Sequence, residues 1–226
     1  MVKAVIFDLD GLLVNTEITW YMVFKDILES FGHTFTLKEY VEGYSGKTIA
    51  QNTNTIREKY HLPFDQETGV KKLISREQEY IQKGVDLKPG ARELLEYLKE
   101  NDYRIVLGSS SLKKRAVAIL DGHDAVRYFD DMACGNEVER GKPYPDIFLL
   151  ASDKAGVKPE ECLVLEDSEA GIQAAHTAHI PVICVPDLKK PREQYGAMTE
   201  AVLPSLIDVI EYLKTQNSNA KYEKEE

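Results

Sequence analysis

The sequence has few cysteines and no cysteine pair. The chain has 226 residues, of which 3 are cysteines, at positions 134, 162 and 184. No two of them have the spacing of a CxxC motif, which excludes a disulfide scaffold and a cysteine-rich zinc site. We therefore expect three reduced thiols and a cytoplasmic protein.

Long apolar segments and an excess of basic residues are also missing. No apolar run approaches the roughly 18 residues that a membrane-spanning helix needs, and the first residues do not resemble a signal peptide. Lys and Arg number 28 against 38 Asp and Glu, which gives a formal net charge of −10. Because nucleic-acid binders carry a basic surface, we do not expect nucleic acid as a partner. Because long apolar segments are missing, we do not expect a membrane as a partner either. The sequence carries no sign of the oligomeric state.

Short apolar runs alternate with helical patterns over most of the chain. The runs have the composition of buried strands and lie at 4–7, 104–107, 162–165 and 182–185, with a shorter one expected within 128–134. The helical patterns between and after them lie at 91–100, 112–120, 147–155, 170–178 and 206–213. Strands that alternate with helices predict a doubly wound, Rossmann-like α/β core with a parallel sheet.

Residues 15–85 interrupt this alternation directly after the first strand. They show helical spacing and no convincing strand, which predicts an all-helical cap domain. The catalytic core would then comprise residues 1–14 and 86–226, with a tail at 215–226 that is rich in charge and expected to fray. Ligands of open α/β sheets bind at the carboxyl ends of the strands, so the insert is placed like a lid.

Polar residues follow the predicted strands. Asp8 and Asp10 follow the first strand, Ser109 ends the second run, and Glu166 and Asp167 follow the run at 162–165. Each cluster alone is more often a solvated turn or a helix cap than a site. Carboxylates that converge at one edge of a sheet repel one another, however, and a hard divalent cation would relieve that repulsion.

These motifs, in this order, resemble the four signatures of the haloacid dehalogenase-like hydrolase superfamily. The segments are Asp8-Leu9-Asp10-Gly11, Ser109 after Val106-Leu107-Gly108, Lys142 in Gly-Lys-Pro-Tyr-Pro-Asp-Ile-Phe, and Leu165-Glu166-Asp167-Ser168. The helical insert is similar to the cap of the β-phosphoglucomutase-like group. The resemblance implies a Mg²⁺-dependent phosphatase that hydrolyses a small phosphorylated metabolite through an aspartyl-phosphate. A sugar phosphomutase is the alternative, and a catalytically idle binding protein on the same fold is a weaker one.

The resemblance also implies a role for each residue of the motifs. Asp8 would attack phosphorus and needs no base, because an ordinary carboxylate is ionised at pH 7. Asp10 would be the general acid and then the general base. The phosphate would be bound by Ser109, by the backbone N–H groups of Ser110 and Ser111 at a helix start, and by Lys142.

A Mg²⁺ ion is implied at the same place. Its ligands would be the Asp8 carboxylate, the Asp10 backbone carbonyl and the Asp167 carboxylate, with Glu166 in the same shell or one behind it. The second aspartate and the metal site argue against dehalogenation, which requires neither.

Two residues of the insert are candidate substrate contacts. Lys47 lies in Ser-Gly-Lys-Thr, which lacks the first glycine of a phosphate-binding P-loop and is not preceded by a strand. The resemblance implies that the loop carrying Lys47 reaches the active site, and a solvated surface lysine is the other interpretation. Trp20 occupies the position that we align with a histidine of the group's sugar mutases. An indole does not titrate near pH 7, so the mutase control element is absent and water is the expected acceptor. Packing within the cap is the other interpretation of Trp20.

Overall fold

The structure is a computed structural model that describes residues 2–222. It divides into two compact units. One unit, the core unit, comprises Met1–Val14 and Asp86–Glu226, and the other, the helical unit, comprises Asn15–Val85.

A six-stranded sheet forms the centre of the core unit. Its strands are β1 (Ala4–Phe7), β2 (Arg104–Ser109), β3 (Asp131–Cys134), β4 (Cys162–Glu166), β5 (Val182–Cys184) and β6 (Ala201–Val202). They are ordered β3-β2-β1-β4-β5-β6, and all neighbours are parallel. This confirms the predicted doubly wound α/β fold. The chain order reverses at β1, which makes the carboxyl ends of β1 and β4 the usual ligand-binding position of such a sheet.

Both units contain α-helices. The helical unit contains α1 (Thr16–Ser30), α2 (Leu37–Gly43), α3 (Ile49–Lys59) and α4 (Gln66–Lys83). The core unit contains α5 (Ala91–Glu100), α6 (Lys113–Asp121), α7 (Asp146–Ala155), α8 (Glu169–Thr177), α9 (Glu193–Gly196) and α10 (Leu206–Tyr222). Within residues 2–222, none of these helices is both long and apolar enough to cross a membrane.

Burial explains why the first apolar run forms a strand. All four residues of β1 are fully buried, as expected for a central parallel strand covered on both faces. Close packing on β2 requires a glycine: a Cβ on Gly108 would lie 2.9 Å from Ile6 Cγ2 and 3.0 Å from Phe148 Cδ1. Phe148 of α7 therefore lies directly against the sheet, beneath the end of β2. The three cysteines are buried free thiols, as predicted.

Aromatic packing holds the helical unit together. Phe24 of α1 is buried and has ring centroids of Tyr40 and Tyr44 at 6.0 and 5.8 Å. The start of α3 is closed by a capping box, in which the Thr48 side chain accepts from Gln51 N and the Gln51 side chain accepts from Thr48 N.

The carboxyl-terminal helix is longer than the sequence predicts. The helix predicted at 206–213 continues as α10 to Tyr222, into the tail that was expected to fray. Fraying of that tail stays a prediction, and residues 223–226 lie outside the described residues. The longer helix makes tertiary contacts: Asn217 Nδ2 donates to the Tyr103 hydroxyl at 2.8 Å, and Lys214 lies 5.8 Å from the ring centre of Tyr97. The short elements α2, α9 and β6 were not predicted either, because segments of seven residues or fewer show little periodicity.

Candidate active site

The candidate site begins at the carboxyl end of β1, in the middle of the sheet. Asp8 is the first residue after the strand, and its backbone N–H donates to the Leu165 carbonyl of β4 at 3.0 Å. The chain then turns at Gly11, whose φ of +86° is a conformation that glycine adopts without strain. The turn is closed by a hydrogen bond from Gly11 N to Val14 O at 3.0 Å. Asp8 and Asp10 are thus held at the end of β1, as predicted.

Lys142 joins this site from the loop before α7. Its Nζ donates to Asp8 Oδ1 and, at 2.5 Å, to Glu166 Oε1. The side chains of Lys142, Asp8 and Glu166 are 7%, 9% and 0% exposed, so the three charges interact with little screening by water. The Phe148 ring lies 4.7 Å from Nζ, a distance typical of a cation–π contact. The structure therefore brings three of the predicted site residues together.

The charges of this cluster shift its titration. The pKa of Asp8 is raised to about 7: burial is the largest cause, Lys142 opposes it, and the charges of Glu166 and Asp10 add to the rise. Burial alone would lower the pKa of Lys142, but the two carboxylates it contacts raise it above its usual range. The expectation that Asp8 is ionised simply because it is a carboxylate is therefore incomplete. Its charge depends on the cations around it.

Glu166 is held in place on both carboxylate oxygens. Oε1 accepts from Lys142, and Oε2 accepts at 2.9 Å from Asp167 N, Ser168 N and Ser168 Oγ. A Cβ on Gly171 would lie 1.8 Å from Oε1, so α8 needs a glycine where it passes this carboxylate. Both carboxylate oxygens of Glu166 therefore accept hydrogen bonds from the protein itself, one of them from Lys142.

Asp167 lies against the turn at Gly11. A Cβ on Gly11 would lie 2.3 Å from Asp167 Oδ2 and 3.3 Å from Asp187 Oδ2, so the turn leaves room for both carboxylates only because it carries no side chain. Burial raises the pKa of Asp167 well above its usual range, and the carboxylates around it, Glu166 first, raise it further. Within residues 2–222, no hydrogen-bond donor contacts the buried Asp187 Oδ2.

Asp10 is oriented by residues at the end of β2 and the start of α6. Ser111 Oγ donates to Asp10 Oδ2 at 2.7 Å, and the Arg115 guanidinium donates to both oxygens of Asp10, at 2.9 and 2.8 Å. Arg115 Nη1 also donates to Ser111 Oγ at 2.6 Å. A bidentate guanidinium contact fixes a carboxylate in direction as well as position.

The predicted phosphate-binding serines differ from one another in the structure. Ser109 is the last residue of β2 and is buried, whereas Ser110 is exposed. The Ser111 N–H, predicted as a phosphate donor, instead donates to Ser109 Oγ at 3.1 Å, and α6 begins only at Lys113. The Ser109 hydroxyl is left with its own proton to donate.

The two candidate substrate contacts of the insert lie in the helical unit. Lys47 is exposed, and its Nζ donates to the Gly43 carbonyl at 2.6 Å. It lines a cavity of about 450 Å³ whose other walls include Glu39, Tyr44 and Lys59. Trp20 is half-buried with its ring centroid 6.1 Å from that of Phe24, which is the packing interpretation of this residue.

The oxygen donors at the end of β1 fit a hard divalent cation. Among residues 2–222, no three His, Cys, Asp or Glu side chains form a metal site by themselves. The implied set needs fewer side chains, because one of its ligands is the Asp10 backbone carbonyl. The raised pKa of Asp167 and the buried Asp187 oxygen without a donor both indicate negative charge that the protein alone does not balance. The residues present therefore fit Mg²⁺.

Sequence reasoning missed three side chains of this region. Arg115 lies inside α6, and its position relative to the apolar residues of that helix is that of an ordinary surface residue. Asp187 follows β5, but Val185 and Pro186 separate it from the strand, so it does not stand at the strand end as Asp8 does. Lys88, which donates to Asp187 Oδ1, carries no motif at all. Only the strand-end rule applied to β5 could have identified Asp187.

Comparison with known proteins identifies the family of the chain. The model of the family described as haloacid dehalogenase-like hydrolase matches residues 5–185. A probable pseudouridine-5'-phosphatase of Drosophila melanogaster is 36% identical over 211 residues, which cover 90% of this chain and 89% of that protein. The phosphorylated carbohydrates phosphatase of Thermotoga maritima is 31% identical over 178 residues, covering 79% of this chain and 82% of that protein.

Solved structures share the fold. CbbY from Rhodobacter sphaeroides, in complex with phosphate, has a TM-score of 0.74 and 26% identity, covering 91% of this chain and 95% of that one. The β-phosphoglucomutase of Clostridium difficile has a TM-score of 0.76 and covers 98% of this chain and all of that one; at 24% identity it is similar in fold alone.

Proposed function

The chain belongs to the haloacid dehalogenase-like hydrolase family and is a phosphoric monoester hydrolase of its β-phosphoglucomutase-like group, and from this we propose how it works. The substrate is a small phosphorylated metabolite, and the reaction proceeds through an aspartyl-phosphate on Asp8. In this proposal the core unit is the catalytic domain and the helical unit is the cap domain. The observation that carries the proposal is the buried Asp8 carboxylate in direct contact with Lys142 at the end of the central strand.

The first step forms the covalent intermediate. An Asp8 carboxylate oxygen attacks phosphorus, the bond from phosphorus to the ester oxygen breaks, and the leaving oxygen takes the proton of Asp10. Lys142 stabilises the negative charge of the transferring group, and Glu166 holds Lys142 in place for it. The Ser109 hydroxyl and the N–H of the neighbouring Ser110 bind phosphate oxygens.

The second step releases phosphate. Asp10 accepts a proton from water, whose oxygen attacks phosphorus, and the bond to Asp8 breaks. Ser111 and Arg115 donate hydrogen bonds to Asp10, which suits the carboxylate form that this step needs. The acid form used in the first step gives up part of the ion pair with Arg115.

Mg²⁺ belongs at the oxygen donors described above. Asp8, Asp167 and the Asp10 backbone carbonyl would hold it, and when bound it offsets the repulsion between the anionic nucleophile and the anionic phosphate. Without the metal, burial outweighs the effect of Lys142 and disfavours the charged form of Asp8, as its raised pKa indicates. The proposal therefore makes catalysis dependent on the metal.

The proposed substrate class follows from the relatives. Their names specify pseudouridine 5'-phosphate, phosphorylated carbohydrates and, for a protein of Escherichia coli that is 28% identical, hexitol phosphates. These substrates share a phosphate monoester on a small polyhydroxylated carbon skeleton. We propose a substrate of that class and a cytoplasmic place of action.

Hydrolysis of p-nitrophenyl phosphate tests the proposed reaction. We expect phosphate release with Mg²⁺. In EDTA the rate should fall at least about 100-fold and should recover when Mg²⁺ is added, because the metal stabilises the charge of the transition state by several kcal/mol. Equal rates with and without the metal would contradict the Mg²⁺-dependent mechanism. A folded protein with no activity on any member of a panel of sugar, sugar-alcohol and nucleoside phosphates would favour the idle binding protein.

A second assay separates the hydrolase from the sugar phosphomutase. Trp20 cannot titrate, so we expect water to accept the phosphoryl group. With β-glucose 1-phosphate and a trace of glucose 1,6-bisphosphate, free phosphate should exceed glucose 6-phosphate. The variant Trp20→Phe, which keeps an aromatic ring beside Phe24, should leave that ratio unchanged. Fast formation of glucose 6-phosphate with little free phosphate would identify a mutase instead.

A further inference from the structure

Asp187 is a buried carboxylate with only one of its oxygens paired. Its side chain is 6% exposed, and Oδ1 accepts a hydrogen bond from Lys88. Oδ2 is buried and has no donor among residues 2–222. An ion pair that served the fold alone would gain from pairing both oxygens, because a buried acceptor without a partner costs free energy. The orphan oxygen therefore points to a group that the protein itself does not supply.

The position of Oδ2 identifies that group. It lies against the same face of Gly11 as Asp167 Oδ2, since a Cβ there would be 3.3 Å from one and 2.3 Å from the other. The two oxygens can be no farther apart than the sum of these distances. Mg²⁺ binds oxygen ligands at about 2.0–2.1 Å and keeps several waters, so a cation held by Asp167 has its hydration shell within reach of Asp187.

Charge supports the same assignment. Asp167 Oδ2 and Asp187 Oδ2 both lie within 3.3 Å of one point beside Gly11, the position a Cβ would take there, so the two carboxylates repel each other unless a cation lies near them. Lys88 balances Asp187 on one side only, through Oδ1. Lys88 is itself anchored, because its backbone N–H donates to the Leu13 carbonyl at 2.8 Å in the loop that follows Asp10. The pair thus ties the loop after β5 to the loop after β1.

We propose that Asp187 is a positioning residue of the Mg²⁺ site, whose Oδ2 faces the hydrated cation while Lys88 holds Oδ1. This rests on the proposed Mg²⁺-dependent function and adds a residue that none of the four sequence motifs contains. Asp187 strengthens binding of the cation by its charge and does not touch the reacting phosphorus.

Direct binding of Mg²⁺ tests the role of Asp187. Isothermal titration calorimetry on the full chain, with Mn²⁺ in electron paramagnetic resonance as a second probe, gives the affinity without any assay of turnover. Asp187→Asn keeps the size of the side chain and an acceptor for Lys88 but removes the charge. We expect it to weaken Mg²⁺ binding by about 10- to 100-fold, as is typical for residues just behind metal ligands.

Two further variants separate this role from a structural one. Lys88→Met leaves the charge of Asp187 unbalanced, so Mg²⁺ should bind more tightly and should raise the melting temperature by more than in the wild type. Asp130 accepts hydrogen bonds from Lys99 Nζ and Ile105 N near the amino ends of the strands, far from the proposed metal site. Asp130→Asn also removes one negative charge, but it should change the affinity for Mg²⁺ less than about twofold. If Asp187→Asn does not fold, the direction of the Lys88→Met effect decides the question.

The outcomes distinguish this inference from the proposed function. Wild-type affinity in Asp187→Asn, together with lost binding in Asp167→Asn, would overturn the role of Asp187 and leave the Mg²⁺ site intact. Unchanged or weaker binding in Lys88→Met would also count against it. A wild-type protein that binds no Mg²⁺ would overturn the metal-dependent function, and the inference with it.

Discussion

Asp8→Asn is expected to lower the turnover rate by roughly 10⁵-fold or more, while the protein stays folded. The amide oxygen is too weak a nucleophile to attack phosphorus, although it keeps the shape of the carboxylate and an acceptor for Lys142. Stability should change little or increase, because the neutral amide places no buried charge beside Glu166. Phosphate release and thermal melting measure the two effects separately.

The same substitution at Asp130 is the matched control for the nucleophile. That residue also lies in the core unit and accepts a backbone hydrogen bond, from Ile105 N at 2.8 Å, but it is near the amino ends of the strands. Asp130→Asn should retain wild-type turnover. Acid quenching with ³²P-labelled substrate should trap phosphoprotein in the wild type and none in Asp8→Asn. Turnover that persists in a folded Asp8→Asn protein would remove Asp8 from its assigned role.

Lys142→Met is expected to have the second largest effect, since it acts on both activity and stability. It leaves Asp8 and Glu166 as adjacent buried carboxylates without their shared cation, at a cost of about 3–5 kcal/mol in the free energy of unfolding. Turnover should fall at least about 100-fold, because the charge that stabilises the transferring group is lost. Urea denaturation in EDTA and initial rates with Mg²⁺ measure the two losses.

The pH dependence of the Lys142→Met variant has a definite sign. The pKa of Asp8 is already raised to about 7, chiefly by burial, and removal of the lysine that opposes this rise should take it higher. A carboxyl group whose pKa is higher in the folded protein than in the unfolded chain favours folding increasingly as the pH falls. The stability deficit of the metal-free variant should therefore shrink between pH 8 and pH 5.

Two comparisons identify the buried cluster as the cause. Lys214→Met breaks an exposed pair with Glu211, which is 2.8 Å long, and should cost no more than about 1 kcal/mol. Adding Glu166→Gln to Lys142→Met should restore part of the stability but none of the activity. A deficit for Lys142→Met that matches Lys214→Met, or that does not vary with pH, would show that the cluster is not held by charge.

Much of the core unit follows from local patterns. The apolar run of β1 and the alternation of strands with helices predict the parallel sheet, because a strand buried on both faces needs apolar residues throughout. Most predicted ends lie within two residues of the structure. Helix α10 is the exception: it extends beyond the predicted end at residue 213, and in this extension Asn217 contacts Tyr103, which is 114 positions away.

Local sequence patterns are enough to predict the fold class and to identify the candidate residues of the proposed site. Asp8 and Asp10 directly follow a buried strand, so their place at the end of the sheet depends on local structure alone. Lys142, Glu166 and Asp167 belong to short motifs whose residue types suit phosphate and a hard cation. The resemblance to the family rests on these motifs and on their order along the chain. These features are encoded within a few neighbouring positions, which is the range over which sequence patterns are informative.

The partner of each charge, in contrast, is set only when the chain folds. Arg115 contacts Asp10 across 105 positions, and Lys88 contacts Asp187 across 99. Such pairs form because the sheet brings the carboxyl ends of its strands to one edge, whatever their separation along the chain. The shift in the pKa of Asp8 has the same origin, since burial and the distances between charges exist only in the folded protein.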